Sequence, residues 1–254
     1  MGLVATVQFC PKFKDYEANL YRMMDLVSEA ARKGAWLVAL PELSTTGYSL
    51  MSRDEARPFA EDVHLQSSSE TFCSTYIMLS LAKKLNVCIV WGFVGLESGT
   101  GDLYNSQAMV TPKGEVISYA KINRWGQDFC WAKAGRSNPP ILKVKSNDDR
   151  FHRVGLLLCR DIRDKVNDKW TSLYEKGDAD IVVLSANFGD GPFPATAWMD
   201  FVENNDCNLV VSNRYGKEAN NNFGEGGVCV ITKKGEVLCD GLTWLKDCIV
   251  YADL

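Results

Sequence analysis

Three side chains that could carry out acyl-transfer chemistry each follow a short apolar run. Glu42 comes after AWLVAL, Lys121 after EVISYA and Cys159 after VGLLL. Each run has the length of a buried strand, and layered α/β proteins place their chemistry at the carboxyl ends of strands. A thiol at such a position could attack a carbonyl, with a carboxylate and a lysine beside it. Taken singly, the same residues also fit a turn carboxylate, a solvated edge charge and a core thiol.

A cysteine nucleophile needs a group that takes its proton, because a free thiol with a pKa of about 8.5 is mostly protonated at neutral pH. The chain has two histidines, His64 and His152. Seven residues of extended strand would separate His152 from Cys159 by about 23 Å. His64 leaves a Cys-His pair open, although no nearby spacing or orienting carboxylate favours it. The remaining arrangement uses Glu42 as general base and Lys121 as the cation beside the reacting carbonyl.

Composition excludes several other classes of function. The chain of 254 residues is 46% hydrophobic and 24% charged, as in an ordinary globular protein. Its net charge of -4 gives no basic field for nucleic acid or for an anionic membrane. No phosphate-binding glycine motif is present, and the nine cysteines include no C-x-x-C pair. We therefore expect no metal and no organic cofactor, and the N-terminus, which has no signal-like segment, predicts a cytoplasmic protein.

The pattern of apolar residues predicts strands alternating with helices. LVATVQF is followed by a helical pattern over about Tyr16 to Lys33 with Gly34 as its C-cap, and a second pattern over about Thr71 to Leu85 leads into VCIVWGFVGL. Further helices are predicted over about 169–176 and 195–205. AMVTPKGEVISYA and GVCVITKKGEVLC predict two matching hairpins. Together they indicate mixed sheets with helices outside, in one domain over residues 1–254.

The segments LVALPELSTTGY, YAKINRWGQD and GLLLCRDIR resemble the three signature segments of the nitrilase superfamily, the carbon-nitrogen hydrolases, in the same order. The resemblance extends over nearly the whole chain and includes the stretch GDLYNSQAMVTPKGEVISYAK. It implies an αββα four-layer sandwich, a single α/β domain of two mixed β-sheets flanked by helices, which assembles as a homodimer or a larger homo-oligomer. It also implies hydrolysis of a small-molecule amide to a carboxylic acid and ammonia through an acyl-thioester.

The same resemblance assigns roles to individual positions. It implies that Glu42 is the general base, that Lys121 stabilises the oxyanion, and that Cys159 is the nucleophile. The backbone amide of Arg160 would be a second oxyanion donor. Asp128 aligns with a position where the family often has a glutamate, so its carboxylate is one methylene shorter. The common Lys-x-His-Leu is replaced by KINR at 121–124, which weakens any inference about the substrate by analogy.

The sequence leaves several interpretations of the function open. CRDIR matches the context typical of small amidases, among them ω-amidases, while nitrile-cleaving members more often have Cys-Trp-Glu. An N-carbamoyl amide hydrolase is a second possibility, and a catalytically silent assembly subunit is a third. Arg124, Arg160 and Arg163 follow the lysine and cysteine segments, and a guanidinium there could bind a substrate carboxylate. For Asp161 and Arg163 we expect a structural ion pair.

Overall fold

A computed structural model describes residues 2–63, 73–163, 178–189, 193–224, 226–240 and 245–254. Its helices are α1 (Tyr16–Arg32), α2 (Arg53–Ala56), α3 (Ser74–Leu85), α4 (Asp128–Trp131) and α5 (Thr196–Asn205), and 3₁₀ turns cover Arg57–Phe59 and Cys159–Ile162. Its strands are β1 (Leu3–Gln8), β2 (Leu37–Ala39), β3 (Cys88–Glu97), β4 (Asp102–Val110), β5 (Val116–Ala120), β6 (Ile141–Lys145), β7 (Phe151–Leu158), β8 (Ile181–Ala186), β9 (Asn208–Asn213), β10 (Lys217–Glu218), β11 (Asn221–Asn222), β12 (Cys229–Ile231), β13 (Val237–Asp240) and β14 (Cys248–Asp253).

The described strands form two six-stranded sheets with the same plan, besides the short pair β10–β11. The first has the order β14-β1-β2-β3-β4-β5 and the second β13-β12-β9-β8-β7-β6. In each sheet the three consecutive strands β1, β2 and β3, or β7, β8 and β9, are parallel, and the outer strands are antiparallel. The two predicted hairpins, β4–β5 and β12–β13, are therefore counterparts at equivalent edges.

Apolar side chains arrange these elements in four layers. One core lies between the sheets and contains Trp36, Val90, Leu156 and Val183 among its buried members. Helices α1 and α3 pack on the outer face of the first sheet, and α5 packs on the outer face of the second. The predicted αββα sandwich of two mixed sheets is confirmed. No helix in the described ranges has both the length and the apolar character needed to cross a membrane.

The helices begin and end close to the predicted positions. Helix α1 covers 16–32, with Asp15 accepting a hydrogen bond from the backbone of Ala18, and Gly34 lies just past the cap with φ +95°. Helix α3 begins at Ser74. Thr71, near which its start was predicted, lies outside the described residues. The predicted helix at 169–176 also lies outside them. Helix α5 covers 196–205, against the expected 195–205.

The segment between β2 and α2 is polar in sequence yet buried throughout, from Pro41 to Leu50. Most of its polar groups are paired within the protein, although Glu42 Oε2 and Thr45 Oγ1 have no hydrogen-bond partner among the described residues. The backbone N–H groups of Tyr48 and Ser49 each donate to Glu218 Oε1 at 2.7 Å, and Arg214 pairs with the other oxygen of Glu218 at 2.7 Å. This buried ion pair holds the segment that carries Glu42 against strand β10 and the residue that follows β9.

Candidate active site

Glu42 lies in this buried segment, beyond the end of β2 and against strand β3. A Cβ on Gly92 of β3 would lie 2.7 Å from the Glu42 Cα and 2.4 Å from the Leu43 nitrogen. Only glycine leaves room for the backbone at that distance. The Glu42 side chain has no exposed surface, so its position is fixed by the packing of β2 and β3.

Lys121 directly follows β5 and lies between two buried carboxylates. Its Nζ is 2.6 Å from Glu42 Oε1 and 2.8 Å from Asp128 Oδ2. Burial by itself would lower the pKa of Lys121, but the charges of Asp128 and Glu42 outweigh it and hold that pKa well above its ordinary value. The ammonium therefore stays positively charged at neutral pH.

Asp128, the first residue of α4, fixes the lysine from the side opposite Glu42. Its Oδ2 also accepts from the backbone N–H of Trp125 at 3.0 Å. Asn105, on β4, donates from Nδ2 both to Glu42 Oε1 at 2.7 Å and to Asp128 Oδ1 at 2.9 Å. The shorter carboxylate thus reaches Lys121 directly, and Asn105 ties the two carboxylates into one network.

Glu42 keeps one oxygen free within this network. Oε1 accepts from Lys121 and Asn105, while the buried Oε2 has no hydrogen-bond partner in the described part of the chain. Burial raises the pKa of Glu42, the lysine lowers it and the nearby Asp128 raises it, so that it lies above its ordinary value. A buried carboxylate with a raised pKa and an unused oxygen is suited to accept a proton.

Cys159 is the first residue of a sharp 3₁₀ turn at the exit of β7. Its φ of +39° is in the left-handed region that favours glycine, a conformation that persists only where the surroundings impose it. Burial, and then the charge of Glu42, raise the pKa of the thiol well above its ordinary value, while Lys121 and the Asn187 backbone oppose that rise. The resting thiol is therefore protonated, and it needs a base before it can attack.

Asp161 holds the turn after Cys159 against the loop after Lys121. It accepts hydrogen bonds from the Tyr119 hydroxyl at 2.7 Å and from the Asn123 backbone at 2.7 Å. Burial raises the pKa of Asp161 to about 6 despite these bonds. The expected ion pair with Arg163 is wrong, because the Asp161 side chain turns inward to these partners, while the Arg163 guanidinium lies over the Phe188 ring at 4.8 Å.

A cavity of about 170 Å³ opens at Cys159, and among the described residues it is lined by Trp125, Cys159, Arg160, Arg163, Asn187, Phe188 and Gly189. An adjoining space of about 340 Å³ shares Trp125, Arg160 and Arg163 and adds Arg124. The Arg160 guanidinium lies over the Trp125 ring at 4.4 Å. Arg124 lies over Phe129 at 4.8 Å and donates to the Ala132 carbonyl at 3.1 Å. The two arginines therefore lie at the mouth, outside the buried network.

His152 does not enter this site. His152 is buried near the start of β7, at the end away from Cys159, where it stacks on Trp36 with ring centroids 4.9 Å apart. Burial lowers its pKa. His64 lies outside the described residues.

Asn105 and Asn187 are site residues that sequence reasoning missed. Asn105 lies within the stretch GDLYNSQ, which carries part of the family resemblance, and Asn187 directly follows the predicted strand DIVVLSA.

Replacing Lys121 with methionine should strongly destabilise the protein, because it leaves two buried carboxylates without their cation. We expect the free energy of unfolding to fall by about 3–5 kcal/mol. Adding Asp128→Asn to Lys121→Met should recover part of that loss, since it removes one uncompensated charge. Denaturant unfolding of both variants measures this. Lys133→Met, which breaks the half-exposed pair with Asp102, serves as control, and an equal loss there would contradict the expectation.

Comparison with known proteins gives one consistent family. The carbon-nitrogen hydrolase family matches residues 3–254. A nitrilase of Pyrococcus abyssi is 30% identical over 94% of this chain and 84% of its own length. An (R)-stereoselective amidase of Pseudomonas sp. is 27% identical over 92% of this chain and 79% of its own. A mutant amidase of Nesterenkonia sp. AN1, with acrylamide added at its active-site cysteine, has the same fold, with a TM-score of 0.80 and 19% identity over 100% of this chain and 93% of that one.

Proposed function

This chain belongs to the carbon-nitrogen hydrolase family and is a hydrolase acting on amides, and from that premise we propose that it cleaves a small amide through an acyl-thioester on Cys159. The observation that carries the proposal is a network in which Lys121 stays charged, the protonated Cys159 thiol hydrogen-bonds to the Glu42 side chain, and Glu42 Oε2 has no other partner among the described residues. Base, cation and nucleophile are then all supplied by side chains of this chain.

In the first half-reaction the Cys159 thiol gives its proton to Glu42 and the sulfur attacks the amide carbon. The carbonyl π-electrons move onto oxygen, and Lys121 Nζ and the backbone N–H of Arg160 stabilise the oxyanion. Glu42 then passes the proton to the leaving nitrogen. The C–N bond breaks, ammonia leaves, and the acyl group remains on sulfur as a thioester.

In the second half-reaction Glu42 takes a proton from water, and the resulting hydroxide attacks the thioester carbon. The same two donors stabilise the second tetrahedral intermediate. The C–S bond breaks, the proton returns from Glu42 to sulfur, and a carboxylic acid is released. Glu42 thus alternates between base and acid, which suits a carboxylate whose pKa is raised by burial.

The proposal is tested by ammonia release from a panel of short-chain amides, dicarboxylic monoamides, N-carbamoyl compounds and nitriles. We expect the amides to be hydrolysed fastest. Acrylamide labelling should add the mass of one acrylamide at Cys159. If no compound is turned over and no reagent labels Cys159 selectively, the chain is a silent assembly subunit, and faster turnover of carbamoyl compounds would favour the N-carbamoyl alternative.

We propose that Arg160 binds an anionic group on the far side of the substrate. Arg160 lines the cavity at Cys159, its guanidinium lies over the Trp125 ring that also lines it, and among the described residues no carboxylate pairs with it. Arg160→Gln should lower kcat/KM for a dicarboxylic monoamide by about 10- to 100-fold and change that of a neutral amide of the same length far less. Equal losses for both compounds would contradict this role. Arg124 also lies at the mouth of the cavity, where it donates to the Ala132 carbonyl. Arg124→Gln, which removes a guanidinium at the same mouth, is the matched comparison.

A further inference from the structure

The cavity at Cys159 contains a side-chain amide that has no hydrogen-bond partner in the described part of the chain. Asn187 directly follows β8 and lines the cavity. Its Nδ2 and Oδ1 atoms are both buried, and neither makes a hydrogen bond within the described residues. Other buried side chains in the described structure leave one polar atom unpaired, but Asn187 leaves its whole amide unpaired. Buried polar groups in folded proteins are nearly always paired, so an exception calls for an explanation.

The unpaired Asn187 amide is not needed to hold the loop after β8 in place, because another asparagine already fixes that loop. Asn213, the last residue of β9, accepts from the Phe188 backbone N–H at 2.9 Å and donates to the Phe188 carbonyl at 3.1 Å. The residue after Asn187 is therefore clamped on both backbone groups by Asn213. The Asn187 side chain is held at its place without using either of its polar atoms.

That place is beside the reacting sulfur. The backbone of Asn187 makes a hydrogen bond with the Cys159 thiol, and both residues line the same cavity. A primary carboxamide bound there would direct its carbonyl oxygen to Lys121 and the Arg160 N–H. Its two amino hydrogens would then need acceptors. The free oxygen of Glu42 is one acceptor, and the side-chain oxygen of Asn187 is the other.

We infer that Asn187 is a specificity-determining residue that binds the NH₂ group of an unsubstituted carboxamide through its side-chain oxygen. The inference rests on the proposed function, since it assigns the substrate end of the same site. It predicts a preference for primary amides over N-alkyl amides and over esters of the same acid. An N-alkyl amide lacks one of the two N–H hydrogens that Glu42 and Asn187 would accept, and an ester lacks both. The side-chain nitrogen remains free to donate to an acceptor elsewhere on the acyl group.

The test compares a primary amide with the methyl ester of the same acid in the wild-type enzyme and in Asn187→Leu. We expect kcat/KM for the amide to fall by about 10- to 100-fold, with the ester changed by less than about threefold. We also expect the melting temperature to stay equal or to rise, because leucine replaces an unpaired buried amide with an apolar side chain of similar size. Asn213→Leu, which removes a structural clamp, should instead lower the melting temperature.

A parallel fall for amide and ester in Asn187→Leu, or no fall for either, would overturn the inference. If that variant melts well below the wild type, Asn187→Ser is used in its place with the same expectation. Binding of the amide to Cys159→Ala and to Cys159→Ala/Asn187→Leu, measured by calorimetry, gives a readout without turnover, and equal affinities would also overturn it. Failure of the wild-type enzyme to act on any amide or ester would instead overturn the proposed function itself.

Discussion

Cys159→Ala is expected to reduce amide hydrolysis by a factor on the order of 10⁴ or more, because no acyl-thioester can form without the sulfur. The loss should be in kcat, since alanine leaves the cavity and its arginines in place. Stability should change little by comparison, because alanine keeps the same left-handed backbone and removes only one side-chain atom from the packing. Ammonia release under saturating substrate, with thermal unfolding alongside, measures both.

Cys130→Ala provides the matched control. Cys130 lies on the short helix α4, next to the exposed Phe129, and its side chain is exposed to solvent. We expect its loss to change kcat by less than about twofold, as for a surface substitution. Comparable losses in the two variants, or activity within about 100-fold of the wild type in Cys159→Ala, would show that Cys159 is not the nucleophile.

Residues at strand ends could be located from the sequence, because apolar runs of strand length stop there. Glu42, Lys121 and Cys159 each lie just past such a run, and the structure has β2, β5 and β7 ending before them. The helical periodicity of α1 and the two lysine-glycine hairpins were predictable for the same reason. All of these features are local patterns in which one side chain follows another along a single element.

Contacts between distant segments could not be predicted in this way. Asn105 joins Glu42 to Asp128 across 63 and 23 residues of sequence, and Asp161 joins the cysteine turn to the loop after Lys121. Such contacts depend on which strands become neighbours and on where each loop closes. The expected Asp161–Arg163 pair failed for this reason, because proximity in sequence was taken to mean contact while the carboxylate had better partners in another segment.

The same distinction applies to Asn187 and to the arginines. Their chemistry is visible in the sequence, but their significance depends on which of their polar atoms remain unpaired after folding. Asn213 uses both polar atoms of its side chain, while Asn187 uses neither with any residue that the structure describes. Two asparagines that look alike in sequence therefore differ in role, and only the hydrogen bonds of the folded chain separate them.

Glu42→Gln is expected to lower kcat for amides by about 10³- to 10⁴-fold, because it removes the general base and changes little else. Glutamine has the same shape, and its side-chain oxygen can still accept from Lys121 and Asn105, as Oε1 of Glu42 does. Oε2, which has no partner among the described side chains and backbone, is replaced by an NH₂ group that cannot accept a proton. In the wild-type enzyme the acid limb of kcat/KM should lie above the ordinary range of a glutamate, because burial raises the pKa of Glu42 and the carboxylate is inactive once protonated.

A nitrophenyl ester separates the two roles assigned to Glu42, because its leaving group departs without a proton while hydrolysis of the thioester still needs a base. In Glu42→Gln at alkaline pH the acyl group should therefore accumulate on Cys159, where mass spectrometry would identify both the nucleophile and the acyl group. Glu61→Gln, at a second buried glutamate bonded to Tyr16, should retain activity. His64→Ala should retain it as well, whereas a Cys-His hydrolase requires the opposite result: activity lost with His64→Ala and kept with Glu42→Gln.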